Sequence, residues 1–254
     1  MIALRDRLRA RQGLLGTFIK TPTPHATEVL ASLGYDFVII DAEHAPFDRR
    51  DIDHIVMAAR GCGISALVRV SESSQANILS CLDMGADGIL APHVDSPERA
   101  RTLAAACRYR HGGTRGYSTN SRAGNWGGTT MEAHMNGEDA RVACVAMIED
   151  ATALDRIDEI AAVPGIDAFF IGRADLSSSL GQTRADTEKT TASVDRILTA
   201  ARSHDRCVMI LATSPADAAA LREKGASAVV VSSDQGFLRS AAAAALKQYS
   251  IASA

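Results

Sequence analysis

The sequence predicts an α/β protein of one domain, a closed (β/α)8 barrel of the TIM type, on three observations. Short apolar runs of about four to seven residues recur along the chain, eight in all. Segments with helical spacing and recognisable caps separate them. The 254 residues match the roughly 250 that eight strand-helix units need. An open doubly wound sheet fits less well, because it uses fewer strands and a glycine-rich first turn, and no GxGxxG follows the first run. The whole chain, 1–254, therefore reads as a single barrel.

The eight runs are 14–19, 37–40, 66–70, 88–91, 142–148, 168–171, 207–211 and 228–231. Most are rich in Val and Ile without polar alternation, as expected of strands buried on both faces of a parallel sheet. Helices start at Ser96-Pro97-Glu98 and Ser214-Pro215-Ala216-Asp217, where Ser caps, Pro takes the first turn and the acid meets the helix dipole. Gly34, the Gly61 and Gly63 pair, Gly85 and Gly225 mark helix ends.

One connection breaks the rhythm. From about 109 to 141 the chain is long and polar, with Gly112-Gly113-Thr114-Arg115-Gly116 and the lone Trp126. Connections longer than roughly 15 residues are usually functional in a compact domain, so this insertion is expected to cover a site or make subunit contacts, or else to be a disordered surface excursion.

Composition narrows the function. With 46% hydrophobic, 22% charged and 4% aromatic residues, disorder and fibrous repeats are excluded. A formal charge of -3 offers no attraction to nucleic acid or an anionic membrane, which leaves small-molecule chemistry. Cys62, Cys81, Cys107, Cys144 and Cys207 are odd in number, widely spaced and lack a CxxC pair. Four lie in apolar runs, so they read as buried free thiols of a reducing, cytoplasmic compartment. The amino-terminal residues alternate charge with apolar side chains and show no secretory or membrane-spanning segment.

Barrel enzymes carry their chemistry on the carboxyl ends of the strands, because those ends converge on one rim. Here they bear Lys20, Asp41-Ala42-Glu43-His44, Arg69, Pro92-His93, Glu149-Asp150, Arg173-Ala174-Asp175, Thr213 and Ser232-Ser233-Asp234. Glu149 and Asp175 each end a buried segment, so they either bind a hard ion such as Mg²⁺ or Mn²⁺ or pair with Arg69 or Arg173. His44 lies within a turn of Asp41 and Glu43, and a carboxylate there would hold its imidazole in one tautomer as a general base. Arg69 suits bidentate binding of a substrate carboxylate, or an ion pair with Asp41 or Glu43. His25, His54, His134 and His204 have polar neighbours and read as solvated; His93 stands between these alternatives.

Taken in order, Asp41-Ala42-Glu43-His44-Ala45-Pro46, Leu82-Asp83-Met84-Gly85-Ala86, the stretch 109–116, Met147-Ile148-Glu149 and Phe170-Ile171-Gly172-Arg173-Ala174-Asp175-Leu176 resemble the HpcH/HpaI aldolase family, over about 13–239. That family contains metal-dependent pyruvate aldolases. The resemblance implies that Glu149 and Asp175 bind a divalent metal, Mg²⁺, Mn²⁺ or Co²⁺. It implies that Arg69 holds the keto-acid with help from backbone amides of Arg173, Ala174 and Asp175. His44 paired with Asp41 would be the base, and Asp83 would lie nearby, contributed across a subunit contact. Keto-acid and aldehyde substrates and a homohexamer are implied as well. The chain departs from the family at Met147, where Gln is expected, at Arg173, where Pro is usual, and at Lys20. The last two add positive charge at the rim, which would favour an acidic or hydroxylated aldehyde.

Three other readings compete. Lys20, desolvated at the rim, could form a Schiff base with the ketone and need no metal. A lyase of the citrate-lyase or malyl-CoA type would need a basic groove, which Arg99, Arg101, Arg108 and Arg110 could supply. A non-catalytic or phosphate-binding barrel would use Ser232-Ser233 as an anion nest.

Overall fold

The computed structural model describes residues 2–250. The eight apolar runs become eight parallel strands that close in sequence order: β1 (Leu14–Ile19), β2 (Phe37–Asp41), β3 (Ser65–Arg69), β4 (Gly88–Ala91), β5 (Ala143–Ile148), β6 (Ala168–Ile171), β7 (Cys207–Ala212) and β8 (Ala228–Ser233). β8 pairs back to β1, with a register irregularity between Gly16 and Phe18. The bounds follow the apolar runs closely except at β8, which continues two residues further because Ser233 still pairs with Phe18.

Each strand alternates its side chains between two cores. Phe37, Ile39, Leu67, Val145, Phe170 and Met209 fill the barrel interior, while Val38, Ile40, Val68, Cys144, Phe169 and Ile210 pack against the helices. Gly16 is required inside: a Cβ there would stand 2.3 Å from the Phe37 ring. The amino-terminal end of the barrel is plugged by α1 (Leu4–Arg9), whose Leu4 and Leu8 join the interior cluster.

The outer ring comprises α2 (His25–Ser32), α3 (Arg49–Cys62), α4 (Gln75–Asp83), α5 (Pro97–Ala106), α6 (Met131–Arg141), α7 (Ala151–Asp155), α8 (Ile157–Ala161), α9 (Arg173–Ser179), α10 (Glu188–Ser203), α11 (Pro215–Glu223) and α12 (Asp234–Tyr249). Ser96 and Ser214 cap α5 and α11 as their Ser-Pro signatures predict. Gly63 is the left-handed cap of α3, whereas Gly61 lies inside that helix. α12 differs from the other long helices: it buries no residue, and Leu238 and Leu246 are 72% and 70% exposed.

The 109–141 insertion is ordered. It folds into a short 3-10 turn at Asn125–Gly127 and then α6, capped by Thr130. Its hydrogen bonds run to α3 and α4, through Arg122 to Asp53 and Met84, Ala123 to Asp83 and Thr114 to Gln75. It thus clads the outside of the barrel and does not cover the strand ends of its own chain. Cys62 is exposed, the other four cysteines are buried, and all five are free thiols. No helix among the described residues is long and apolar enough to cross a membrane.

Candidate active site

The parity that fills the barrel continues past its last apolar layer. Counting by two from Phe18, Ile39, Leu67, Met147, Phe170 and Val230 reaches Lys20, Asp41, Arg69, Glu149, Gly172 and Ser232, so these strand ends meet over the axis. A cleft of about 340 Å³ opens there, floored by Phe18, Phe170 and Met147. Phe18 and Phe170 meet edge to face at 5.9 Å, and the Arg69 guanidinium lies 4.9 Å over Phe18.

Arg69 is committed on two sides. Nε donates to Asp41 Oδ1 at 2.9 Å and Nη2 to Oδ2 at 2.7 Å. Nη1 faces Met147 Sδ at 3.9 Å and lies 3.2 Å from Glu43 Oε2. That Glu43 contact is a charge contact without hydrogen-bond geometry, since Oε2 is buried and has no hydrogen-bond partner among the described residues. Lys20 Nζ stands 3.0 Å from Asp41 Oδ2. Burial opposes ionisation of Asp41, but Arg69, the His44 amide and Lys20 outweigh it and hold the carboxyl below its ordinary range.

Glu149 is the opposite case. It is 2% exposed, and burial pushes its carboxyl up. The His93 amide, donating to Oε1 at 2.9 Å, and the His93 ring lower it, while the charges of Asp175 and Glu43 raise it again. His93 takes a left-handed φ of 55° to present that amide. Its ring lies 3.1 Å from Asp150, 3.5 Å from Glu149 and 3.9 Å from Glu43. Burial disfavours a charged imidazole, yet these carboxylates win and raise its pKa. Gly172 leaves the space Glu149 occupies: a Cβ there would lie 2.8 Å from Oε2.

Among the described residues, Asp41, Glu43, Glu149, Asp150 and Asp175 thus face Lys20, Arg69 and the imidazoles of His44 and His93. No group of three or more His, Cys, Asp or Glu side chains is placed to hold a metal among the described residues, but Glu149 and Asp175, following adjacent strands in a surplus of negative charge, are a two-carboxylate pair of the kind that holds a hard divalent cation whose other ligands are water and substrate.

Several expectations are corrected. Asp41 does not hold the His44 imidazole; it accepts only the His44 backbone N–H, at 3.1 Å, because Arg69 and Lys20 occupy its oxygens. The ring is 55% exposed and its nearest acid is Glu43, at 3.7 Å. Arg173 adds no free charge to the rim, since its guanidinium binds Asp217 at 2.6 Å and the Leu211 carbonyl at 2.7 Å. Ala174 and Asp175 do line the cleft. Asp83 stands on the far end of α4, 3.5 Å from the buried Arg115, and not at its own chain's mouth.

Arg101, Arg108 and Arg110 line a cavity at the amino-terminal end of the barrel, and of the four arginines expected to form a CoA groove Arg99 alone stays by the mouth, donating to the His93 carbonyl at 2.8 Å. Ser233 caps α12, and Asp234 already takes the amides of Lys20 and Thr21 at 2.8 and 3.0 Å, so an anion nest there is filled by a carboxylate. His134, expected to be solvated, is buried and 3.0 Å from the Tyr109 hydroxyl. Sequence reasoning gave no site role to Phe18, Phe170 and Gly172, although strand parity carried through each apolar run would have found them; Glu43, offered there as a partner of Arg69, does lie against it.

Comparison with known proteins decides the family. The family model for HpcH/HpaI aldolase/citrate lyase matches residues 14–241. The chain belongs to this family. A 5-keto-4-deoxy-D-glucarate aldolase of Klebsiella pneumoniae is 34% identical over 235 residues, 92% of this chain and 91% of that protein. A 2-dehydro-3,6-dideoxy-6-sulfogluconate aldolase of Pseudomonas putida is 36% identical over 174 residues, 68% of each chain. The crystal structure of an HpcH/HpaI aldolase/citrate lyase family protein from Burkholderia cenocepacia superposes with a TM-score of 0.91 at 31% identity, covering 96% of this chain and 98% of that one. This HpcH/HpaI protein is therefore an aldolase on a closed eight-stranded barrel.

Proposed function

We propose that this aldolase reversibly cleaves a 4-hydroxy-2-oxo acid to pyruvate and an aldehyde, with a divalent metal held by Glu149 and Asp175. The observation that carries the reading is Glu149, a carboxylate sealed at the barrel mouth beside a second carboxylate and, among the described residues, with no arginine or lysine paired to it. The keto-deoxy acids in the names of the relatives support the substrate class.

A bound Mg²⁺, Mn²⁺ or Co²⁺ would supply positive charge to the ketone oxygen on which negative charge develops. The chain supplies the rest. Arg69 presents Nη1 to an oxygen of the keto-acid, while its pairing with Asp41 fixes the guanidinium plane. Ala174 and Asp175 line the place where the first turn of α9, with the Arg173 amide, meets the acid. Phe18, Met147 and Phe170 exclude water from the floor. His44, free of Asp41 and exposed, takes the proton from the C4 hydroxyl in the cleavage direction.

Asp83 cannot serve the mouth of its own chain, so the role implied by family resemblance requires a neighbouring copy. The uncovered apolar side chains of α12 support such an oligomer. A Schiff base at Lys20 is the poorer reading, because imine formation needs a free amine and Nζ is in an ion pair with Asp41.

The deciding experiment is release of pyruvate from a panel of 4-hydroxy-2-oxo acids, with EDTA and with metal restored. Loss with EDTA and recovery with Mn²⁺ are expected. Full activity in EDTA, with borohydride trapping of pyruvate on Lys20, would replace the metal by an imine.

A further inference from the structure

Arg101, Arg108 and Arg110, together with Arg5, surround a cavity of about 740 Å³ at the end of the barrel opposite the mouth. We propose that this cavity is a binding site for a phosphorylated small molecule, separate from the aldol chemistry.

The charge balance is the first support. Asp167, whose side chain is wholly enclosed, receives Arg5 Nε at 2.7 Å, Arg9 Nη2 at 2.9 Å and Arg108 Nη2 at 2.8 Å. Three guanidiniums on one carboxylate leave two positive charges over. Arg110 has no side-chain hydrogen-bond partner among the described residues. Arg101 reaches only Glu98, an exposed acid that Arg156 also holds. Asp139, the acid in the wall, is already taken by the Tyr109 and Arg110 amides at 2.8 and 3.1 Å. Arg5, Arg9, Arg101, Arg108, Arg110 and Arg156 thus face Asp167, Asp139, Glu98 and Glu159, a formal surplus of two.

The shape is the second. Arg5 and Arg108, 13% and 11% exposed and bound to Asp167 and to backbone carbonyls, form the concave wall, while the exposed Arg101 and Arg110 stand at its rim with donors free among the described residues. Arg110 opens a tight turn closed by the Gly113 amide on its carbonyl at 3.1 Å, with His111 and Gly112 both left-handed, which fixes it at the rim. A phosphate monoester carries about 1.5 to 2 negative charges and three acceptor oxygens, matching the surplus and several guanidiniums at once, whereas a lone carboxylate leaves half of the surplus unmet. Ala104, Val163 and Pro164 provide an apolar wall for the organic part of the ligand.

Isothermal titration with inorganic pyrophosphate, in metal-free buffer so that the anion is not chelated, tests the site. One pyrophosphate per chain is expected. Arg110→Ala and Arg101→Ala should each weaken it roughly 10- to 100-fold, the loss of a charged hydrogen bond, with thermal unfolding of the unliganded variants unchanged. Arg69→Lys should bind as the wild type does, and malonate should bind much more weakly. Absence of saturable binding, undiminished binding in Arg110→Ala, loss in Arg69→Lys (which would put the anion at the barrel mouth), or malonate as tight as pyrophosphate would each overturn the proposal.

Discussion

Asp41 and Arg69 form a two-pronged ion pair inside the barrel mouth, with N–O distances of 2.9 and 2.7 Å and side chains 0% and 6% exposed. The pair consumes the Nε–Nη2 edge of the guanidinium and leaves Nη1, beside Glu43, as the donor proposed for the keto-acid. Arg69→Lys keeps the charge but loses the fork, so the KM for the keto-acid should rise about tenfold or more. Arg69→Ala strands a buried carboxylate with Lys20 alone, at a cost of about 3 kcal/mol. Urea denaturation measures that cost; an unchanged midpoint would show that the pair has no structural role.

The same pair sets a pH dependence. Asp41 is held below its ordinary range in the folded chain, so it stays ionised to lower pH there than in the unfolded chain. Its contribution is therefore fully present above the unfolded value, about 4, and is lost as pH falls through the folded one. Glu138 adds to the same trend: burial opposes its ionisation, but Arg141 and Arg115 hold it low. Asp41→Asn should be less stable than wild type at neutral pH, and the two melting curves should converge in acid. Parallel curves from pH 7 to 3 would contradict the assignment.

How much of this was legible depended on distance along the chain. Strand positions showed because a parallel barrel buries both faces of each strand, and helix starts showed because Ser96 and Ser214 cap within three residues. Partners far apart in sequence did not. Arg173 looked like a free rim cation, and only the fold brings Asp217, 44 residues away, against it. His134 looked solvated until Tyr109 and Tyr117 closed on it. Asp41 and His44 are neighbours in sequence, yet Arg69, 28 residues on, wins the carboxylate. The positions of the candidate residues at the strand ends were legible where their contacts were not, because strand ends are a local property and ion pairs are not.

Gly172 links the backbone to the candidate metal site. An added Cβ would lie 2.7 Å from Met147 Cε and 2.8 Å from Glu149 Oε2, so Gly172→Ala must displace the carboxylate although its φ of -82° suits alanine. Mn²⁺ affinity should fall roughly 10- to 100-fold while the barrel stays folded. Glu149→Gln should abolish the metal response, with activity down roughly 10³-fold or more, and should stabilise the metal-free protein by removing a charge that burial disfavours. Titration of metal-free protein with Mn²⁺ reads both, and equal affinity in Gly172→Ala would dissociate Glu149 from the metal.

His44, the proposed base, has no anchoring carboxylate in hydrogen-bond range among the described residues. His44→Ala should slow cleavage about 10²- to 10⁴-fold, and pyruvate affinity should hold because Arg69 and Glu149 are untouched. A variant of normal rate would move the base elsewhere, with His93, also 55% exposed at the mouth, the group to replace next.

α12 has the length of a core helix without a core. Its sixteen residues bury none of their side chains; Phe237 meets Tyr35 edge to face at 6.2 Å, while Leu238, Leu246 and Tyr249 are 72%, 70% and 83% exposed. The alanine run 241–245 favours the helix by propensity, so it forms without burying an apolar stripe on its own barrel. Covering Leu238 and Leu246 by a second copy would return about 1.5 to 3 kcal/mol for each fully buried side chain. Light scattering on the eluting protein should show an oligomer, and Leu238→Glu with Leu246→Glu should reduce it to a monomer that melts at lower temperature. A wild-type chain that elutes as a monomer at micromolar concentration would leave Asp83 without a route to any active site.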